Sequence, residues 1–295
     1  MRSFRLKPLN PDRRFLLFGI YTLVAVVIWG YVLFPADAIK AVLANRVHLW
    51  NSDIRIQIGD LFPTLWPGIR ITDVQIFQAG EKWMDWNAIS VRLNGFSLTD
   101  GSADWGVHGS DPTGRIDGVW TTEFGFSMTP KRFHMTISNF LLDKLPMLHD
   151  RLNRQAFGIL SADIQGQING QALTATAKVS LNDGKIGIDI PEMTIKQVLF
   201  QRIDADIDVT HDDLRLAKFT FKGPHLSGQL AGDIHLDRQP DQSRITLSGT
   251  AQIHHLLMTG LRFPSVAAML NSRFPEGVPF RLTGILAKPR WDLGP

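Results

Sequence analysis

Hydrophobic and polar positions alternate with two different periods along this chain. From Phe15 to Phe34 (FLLFGIYTLVAVVIWGYVLF) no charge interrupts 20 residues, about the ~20 needed to cross a ~30 Å hydrocarbon layer as a helix. After Pro35, Ile39, Val42, Leu43 and Val47 recur at helical spacing, which predicts a short amphipathic helix over 36–47. The period then drops to two, the spacing of strands with one wet and one dry face. Ile54, Ile56 and Ile58 alternate with polar residues, as do Ile69 and Ile71, and Ile89, Val91 and Leu93.

The second half repeats the pattern more plainly. Ala162, Ile164 and Ile168 alternate with Asp163, Gln165 and Gln167, and Ala175, Ala177, Val179 and Leu181 with Thr174, Thr176, Lys178 and Ser180. Asn182-Asp183-Gly184 reads as a tight hairpin turn, followed by Ile186, Ile188 and Ile190. Ile203, Ala205, Ile207 and Val209 alternate with Asp204, Asp206 and Asp208; Leu226, Leu230, Ile234 and Leu236 follow, then Ile245, Leu247, Ala251 and Ile253. Two helical stretches break the series, Phe140 to Gln155 with Leu141, Leu145, Leu148 and Leu152 on one face, and Pro264 to Asn271.

These elements predict a mostly β chain: one N-terminal transmembrane helix, then an extended antiparallel sheet folded as a groove or a sandwich, with a few short helices. The divisions are a tail over 1–14, the span over 15–34, an N-terminal β part over 35–140, a helical connector over 141–157 and a C-terminal β part over 158–295.

Charge orients the span. Of 31 basic and 28 acidic residues, five (Arg2, Arg5, Lys7, Arg13, Arg14) and one (Asp12) precede Phe15, leaving 26 and 27 beyond it. The positive-inside rule puts the basic tail in the cytoplasm and the bulk of the chain across the membrane, with Trp29 and Tyr31 at the outer headgroup layer. The competing reading is a signal peptide cleaved at Ala36-Asp37-Ala38, against which the apolar run is longer than the ~7–15 residues usual there. The body carries no basic excess, so nucleic acid is not an expected partner.

Candidate chemistry is sparse. The chain has no cysteine, which excludes thiolate metal sites, disulfides and cysteine nucleophiles. Asp204-x-Asp206-x-Asp208 opens like a calcium loop, but Val209 and Arg215 stand where Gly and Glu are required, so a solvated strand face is the reading. Adjacent His254 and His255 point to opposite sides of a strand, and His225 and His235 lie ten residues apart, which argues against a shared metal. No nucleophile elbow, phosphate loop or metalloprotease motif occurs. A non-catalytic protein without cofactor is therefore expected. Trp50, Trp66, Trp83, Trp86, Trp105 and Trp120 suit core packing better than a ligand surface.

A long sheet with one dry face must close, pair with another sheet, or present an apolar groove. If a groove exists, Ile203, Ile207 and Val209 with Leu226, Leu230 and Ile234 are its expected lining.

Several phrases carry a family resemblance. They are the span ending Gly30-Tyr31-Val32-Leu33-Phe34-Pro35, the stretch Trp66-Pro67-Gly68-Ile69-Arg70-Ile71-Thr72-Asp73-Val74, and the repeats Leu226-Ser227-Gly228 and Leu247-Ser248-Gly249. The closing Leu282-Thr283-Gly284-Ile285-Leu286-Ala287-Lys288-Pro289-Arg290-Trp291 is similar to the L-x-G-T-L-x-x-P ending of AsmA-like domains, with Ile285 in place of Thr. The chain thus resembles type II secretion system protein N, within the wider AsmA-like group. The resemblance implies an inner-membrane protein with a periplasmic β-domain that serves type II secretion, with secretion-machinery proteins as partners. The AsmA-like relatives imply the alternative, an apolar β-groove that binds or transfers phospholipid.

Overall fold

The computed structural model describes residues 11–50, 53–64, 67–78, 80–111, 113–123, 130–144, 156–170, 172–187, 197–237, 242–258, 269, 272–286 and 288–293. Helix α1 (Pro11–Val32) leads through Pro35 into α2 (Ala36–Trp50), as the amphipathic spacing predicted. Among the described residues no helix is both long and apolar enough to cross a membrane; the span therefore rests on the sequence.

Apart from a short helix, α3 (His255–Met258), which takes His255 out of the strand expected for it, and a 3-10 turn, the remaining regular elements are strands. They are β1 (Ile54–Ile58), β2 (Leu61–Pro63), β3 (Gly68–Gln78), β4 (Glu81–Ser97), β5 (Ser102–Asp111), β6 (Gly114–Glu123), β7 (Pro130–Leu141), β8 (Ala156–Asn169), β9 (Ala172–Gly187), β10 (Gln197–Thr210), β11 (Asp213–Lys222), β12 (Leu226–His235), β13 (Arg244–Ile253), β14 (Val278–Ile285) and β15 (Lys288–Leu293). All 15 belong to one antiparallel sheet. From β3 onward each strand pairs with its successor in the chain, and β1 and β2 both pair with β3. Among the described residues the strands form this one sheet and no second.

Register explains why the alternation is so regular. Ile71, Ile89, Gly109, Ile116, Ile137, Ala162, Val179, Ala205, Phe219, Leu230, Gly249, Phe280 and Leu293 lie side by side across the sheet, each opposite the next. The row on the other face runs Arg92, Gly106, Val119, His134, Gln165, Thr176, Asp208, Arg215, Asp233, Thr246, Thr283 and Arg290. A strand's side-chain period of two keeps these faces apart only while register holds.

Single extra residues preserve the faces where the sequence slips phase. In β11 the apolar series Leu214, Leu216 resumes at Phe219, Phe221, and a register shift absorbs the odd step. Asn139 (φ 54°) does this in β7 between Ile137 and Phe140, and Asp183 (φ 52°) in β9 between Asn182 and Lys185, against β8. Asp and Asn tolerate this left-handed backbone better than other non-glycine residues.

Two expectations need correcting. Asn182-Asp183-Gly184 is not a hairpin turn, because β9 runs through it to Gly187; the same Asp that suits a turn suits a bulge. Phe140 and Leu141 end β7 instead of opening a helix, and Ala156 and Phe157 already belong to β8. The described part of that connector is one 3-10 turn, Leu142–Lys144, while 145–155 and most of 264–271 lie outside the described residues. Pairing continues across the connector, from Arg132 opposite Gln167 to Leu141 opposite Ile159.

The core sits on the dry face in two clusters. Leu61, Ile71, Val74, Trp86 and Phe140 are buried beneath Phe34, Ala36, Ile39 and Leu43 at the start of α2. Ala205, Leu216 and Leu247 centre the second, with Val179, Ile207, Phe219, Leu230, Ile234 and Leu282 against them.

Candidate functional site

The apolar face is the most extended feature of the domain, and its composition is set rung by rung. Phrases such as Leu226-Ser227-Gly228 and Leu247-Ser248-Gly249 put a large residue in, a polar one out and a glycine in. Glycines then stand between bulky neighbours. Leu216 faces Gly232, which faces Leu247; Leu230 faces Gly249, which faces Phe280. Across the first of these gaps Leu216 and Leu247 join one buried cluster and fall to 7% and 8% exposure.

All six residues expected to line a groove lie on this face. Ile203, Ile207 and Val209 stand opposite Phe221, Leu216 and Leu214 of β11. Leu214 and Phe221 in turn stand opposite Ile234 and Gly228 of β12, and Phe219 opposite Leu230; Leu226 pairs with Ile253 at the strand end. Each of the six is half-buried. Trp29 and Tyr31 stand in the last turn of α1, exposed at 63% and 53%.

Sequence reasoning undervalued an aromatic row. Leu93, Trp105, Trp120 and Phe133 lie side by side on β4 to β7 of the apolar face. Trp105 Nε1 donates to Thr122 Oγ1 at 3.1 Å, so its polar edge is satisfied within the sheet and its ring stays on the dry side. The spacing of these aromatics along their strands, period two with the aliphatics, was the available signal.

The wet face is laced with cross-strand pairs. Arg115 binds Asp117, and His108 Nδ1 lies 2.5 Å from the same carboxylate; these partners, Arg115 first, hold Asp117 below the usual carboxylate range. His134 Nε2 lies 2.8 Å from Asp163 and lowers that carboxyl likewise. Asp204 pairs with Arg202, while Asp206 stands opposite Lys178 and Lys218, and Asp208 opposite Arg215. That is a solvated strand face. His225 Nδ1 accepts from the backbone N–H of Leu199, and His254 Nε2 bonds Ser227 Oγ. Among the described residues no group of acidic and histidine side chains is placed to hold a metal.

One arrangement resembles catalytic machinery in order only. Ser90, His108 and Asp117 are neighbours in one lateral row. Ser90 Oγ donates to the backbone oxygen of His108 at 3.2 Å instead of to its ring, so the nucleophile is not coupled to the imidazole that would activate it.

No family model, curated protein or solved structure matches this chain.

Proposed function

We propose that this chain is a non-catalytic protein of the bacterial inner membrane, anchored by α1 with its N-terminus in the cytoplasm, whose periplasmic β-domain shelters lipid acyl chains on its apolar face. The carrying observation is the ladder of apolar residues and glycines from Leu61 and Ile71 to Phe280, with no second sheet opposite it among the described residues. Strands ~4.8 Å apart make the ladder roughly 60 Å long, and four apolar positions at ~6.8 Å spacing make it roughly 20 Å wide. Soluble monomers rarely expose apolar patches above a few hundred Å2, and among the described residues α2 packs chiefly against β1 and β2, at the N-terminal end of the ladder.

Two features favour a lipid occupant. Phe18, Ile20, Tyr21, Val24, Ile28, Trp29 and Val32 of α1 are about half or more exposed, an apolar surface that suits contact with hydrocarbon. Phe34, immediately after it, packs on the first core cluster of the sheet, so apolar surface continues from anchor to ladder.

The test places a photo-reactive phenylalanine analogue at Ile207 or Leu230, and at Asp208 or Asp233 on the wet face, in the full chain in native membranes. Phospholipid adducts at the first pair and not the second are expected. Adducts at neither, or equally at both, would end the lipid reading.

The resemblance to type II secretion system protein N favours a second reading, in which the domain supports that machinery by contact with its proteins. Its quoted phrases fall on structural rungs: Leu247-Ser248-Gly249 lies within β13, and the closing phrase builds the hairpin of β14 and β15. Undiminished export of a type II substrate from cells lacking this protein would remove that reading.

A further inference from the structure

The wet face carries a concavity that neither reading uses. It has a volume of about 350 Å3 and lies over β4 to β7, walled by Ser90, Arg92, Asn94, His108, Asp117, His134 and Thr136. Gly106 makes its floor: the row Arg92, Gly106, Val119, His134 has no side chain at its second position, and the Asn94 amide lies over the gap. Val119, 45% exposed among polar neighbours, is the apolar element of that floor.

Donors converge here while the negative charge is already compensated. Both oxygens of Asp117 are engaged, Oδ2 by Arg115 Nε at 2.5 Å and Oδ1 by Arg115 Nη2 at 3.2 Å and His108 at 2.5 Å. Arg92 has no ion pair among the described residues, so its planar fork is free for a bidentate oxyanion. Arg92 and His134 stand three strands apart, roughly 14 Å between backbones, a gap that an arginine, an oxyanion and an imidazole together span.

The imidazoles narrow the choice of anion. His108 gives Nδ1 and His134 gives Nε2 to carboxylates held ionised. In the neutral ring the bonded nitrogen carries the hydrogen and the remaining one is an acceptor. A site with a guanidinium, an amide and the Thr136 hydroxyl as donors, beside imidazoles that accept when neutral, fits an anion that both accepts and donates. A phosphate monoester can do both, because with a second pKa of about 6 a fraction of it still carries a proton near neutrality; sulfate and carboxylate carry none there.

We propose that this concavity binds a phosphate monoester, with Arg92 gripping the phosphoryl oxygens, a free imidazole nitrogen accepting a hydrogen bond from its remaining P–O–H and Val119 touching the ester carbon. The test titrates the full chain in detergent with glycerol 3-phosphate, with short-chain dibutanoyl phosphatidate and with sulfate, following phosphorus resonances for the first two and calorimetry for all three. Saturable binding of a monoester is expected, weakened about tenfold or more by Arg92→Gln and unchanged by Arg281→Gln, which alters the same face on the distant β14. Phosphatidate tighter than glycerol 3-phosphate would assign a lipid headgroup as the source, and equal binding a free ester; either outcome supports the site. Absence of saturable binding, sulfate binding as tight as the monoesters, or equal loss in Arg281→Gln would overturn it.

Discussion

The ring of Trp86 in β4 lies 6.0 Å from that of Phe140 in β7, centroid to centroid and tilted by 36°, although two strands separate them. The rings reach over glycines. A Cβ on Gly109 would stand 3.4 Å from the indole, and one on Gly114 would stand 2.8 Å from the Phe140 ring. With α2 above, this contact closes the one part of the dry face that resembles an ordinary core. Phe140→Ala is therefore expected to cost about 3–5 kcal/mol, read as a lower midpoint in denaturant.

Gly232 tests the glycine rungs. A Cβ there would sit 2.1 Å from the carbonyl oxygen of Thr246, and its φ of 145° lies where side chains are strained. Gly232→Ala is expected to destabilise by about 2–4 kcal/mol. A melting temperature equal to the parent's would contradict the packing of Leu216 and Leu247 across that gap.

Depth on the apolar face separates a core position from a lining position. Leu247 is 8% exposed within the second cluster, whereas Ile207 is half-buried. Leu247→Asp is expected to cost about 3 kcal/mol or more through a buried unpaired charge, and Ile207→Asp clearly less. Paired melting curves at neutral pH check the order; equal losses would mean that Ile207 is also sealed.

The Asp117 interactions set a pH window. A carboxyl whose folded pKa is lowered contributes stability above its unfolded value near 3.9, and the contribution fades as pH falls through the folded value. Partners and carboxylate are solvent-exposed, so the effect is small. The stability difference between the parent and Asp117→Asn is expected to be steady from pH 8 to 5 and to shrink below about pH 4. Urea melts across that range measure it.

Much of this architecture was legible because strand alternation is local information. Ile203 to Val209 and Leu226 to Ile234 announced their dry faces, and register carried both onto the same side. Asp183 was misread because its left-handed preference serves a turn and a bulge alike; only the long-range pairing of Gly184 with Phe200 decides between them. Phe140 was misread because the leucines after it share helical spacing, while its own phase is set by Asn139 and by pairing with Leu160. The concavity around Gly106 was not legible at all. Arg92, His108 and His134 are far apart in the chain, and no local pattern marks three polar strands meeting at one missing side chain.

The strand order also governs how such a chain can assemble. From β3 onward every strand finds its partner in the stretch just before it, so the sheet can zip from its N-terminal end as the chain emerges, without waiting for distant segments. Each intermediate then ends in a raw edge able to recruit a neighbour's strand. Among the described residues β15 is the C-terminal edge of the sheet, and its Lys288, Pro289, Arg290 and Asp292 give that edge charge and a missing backbone donor, features that disfavour further pairing.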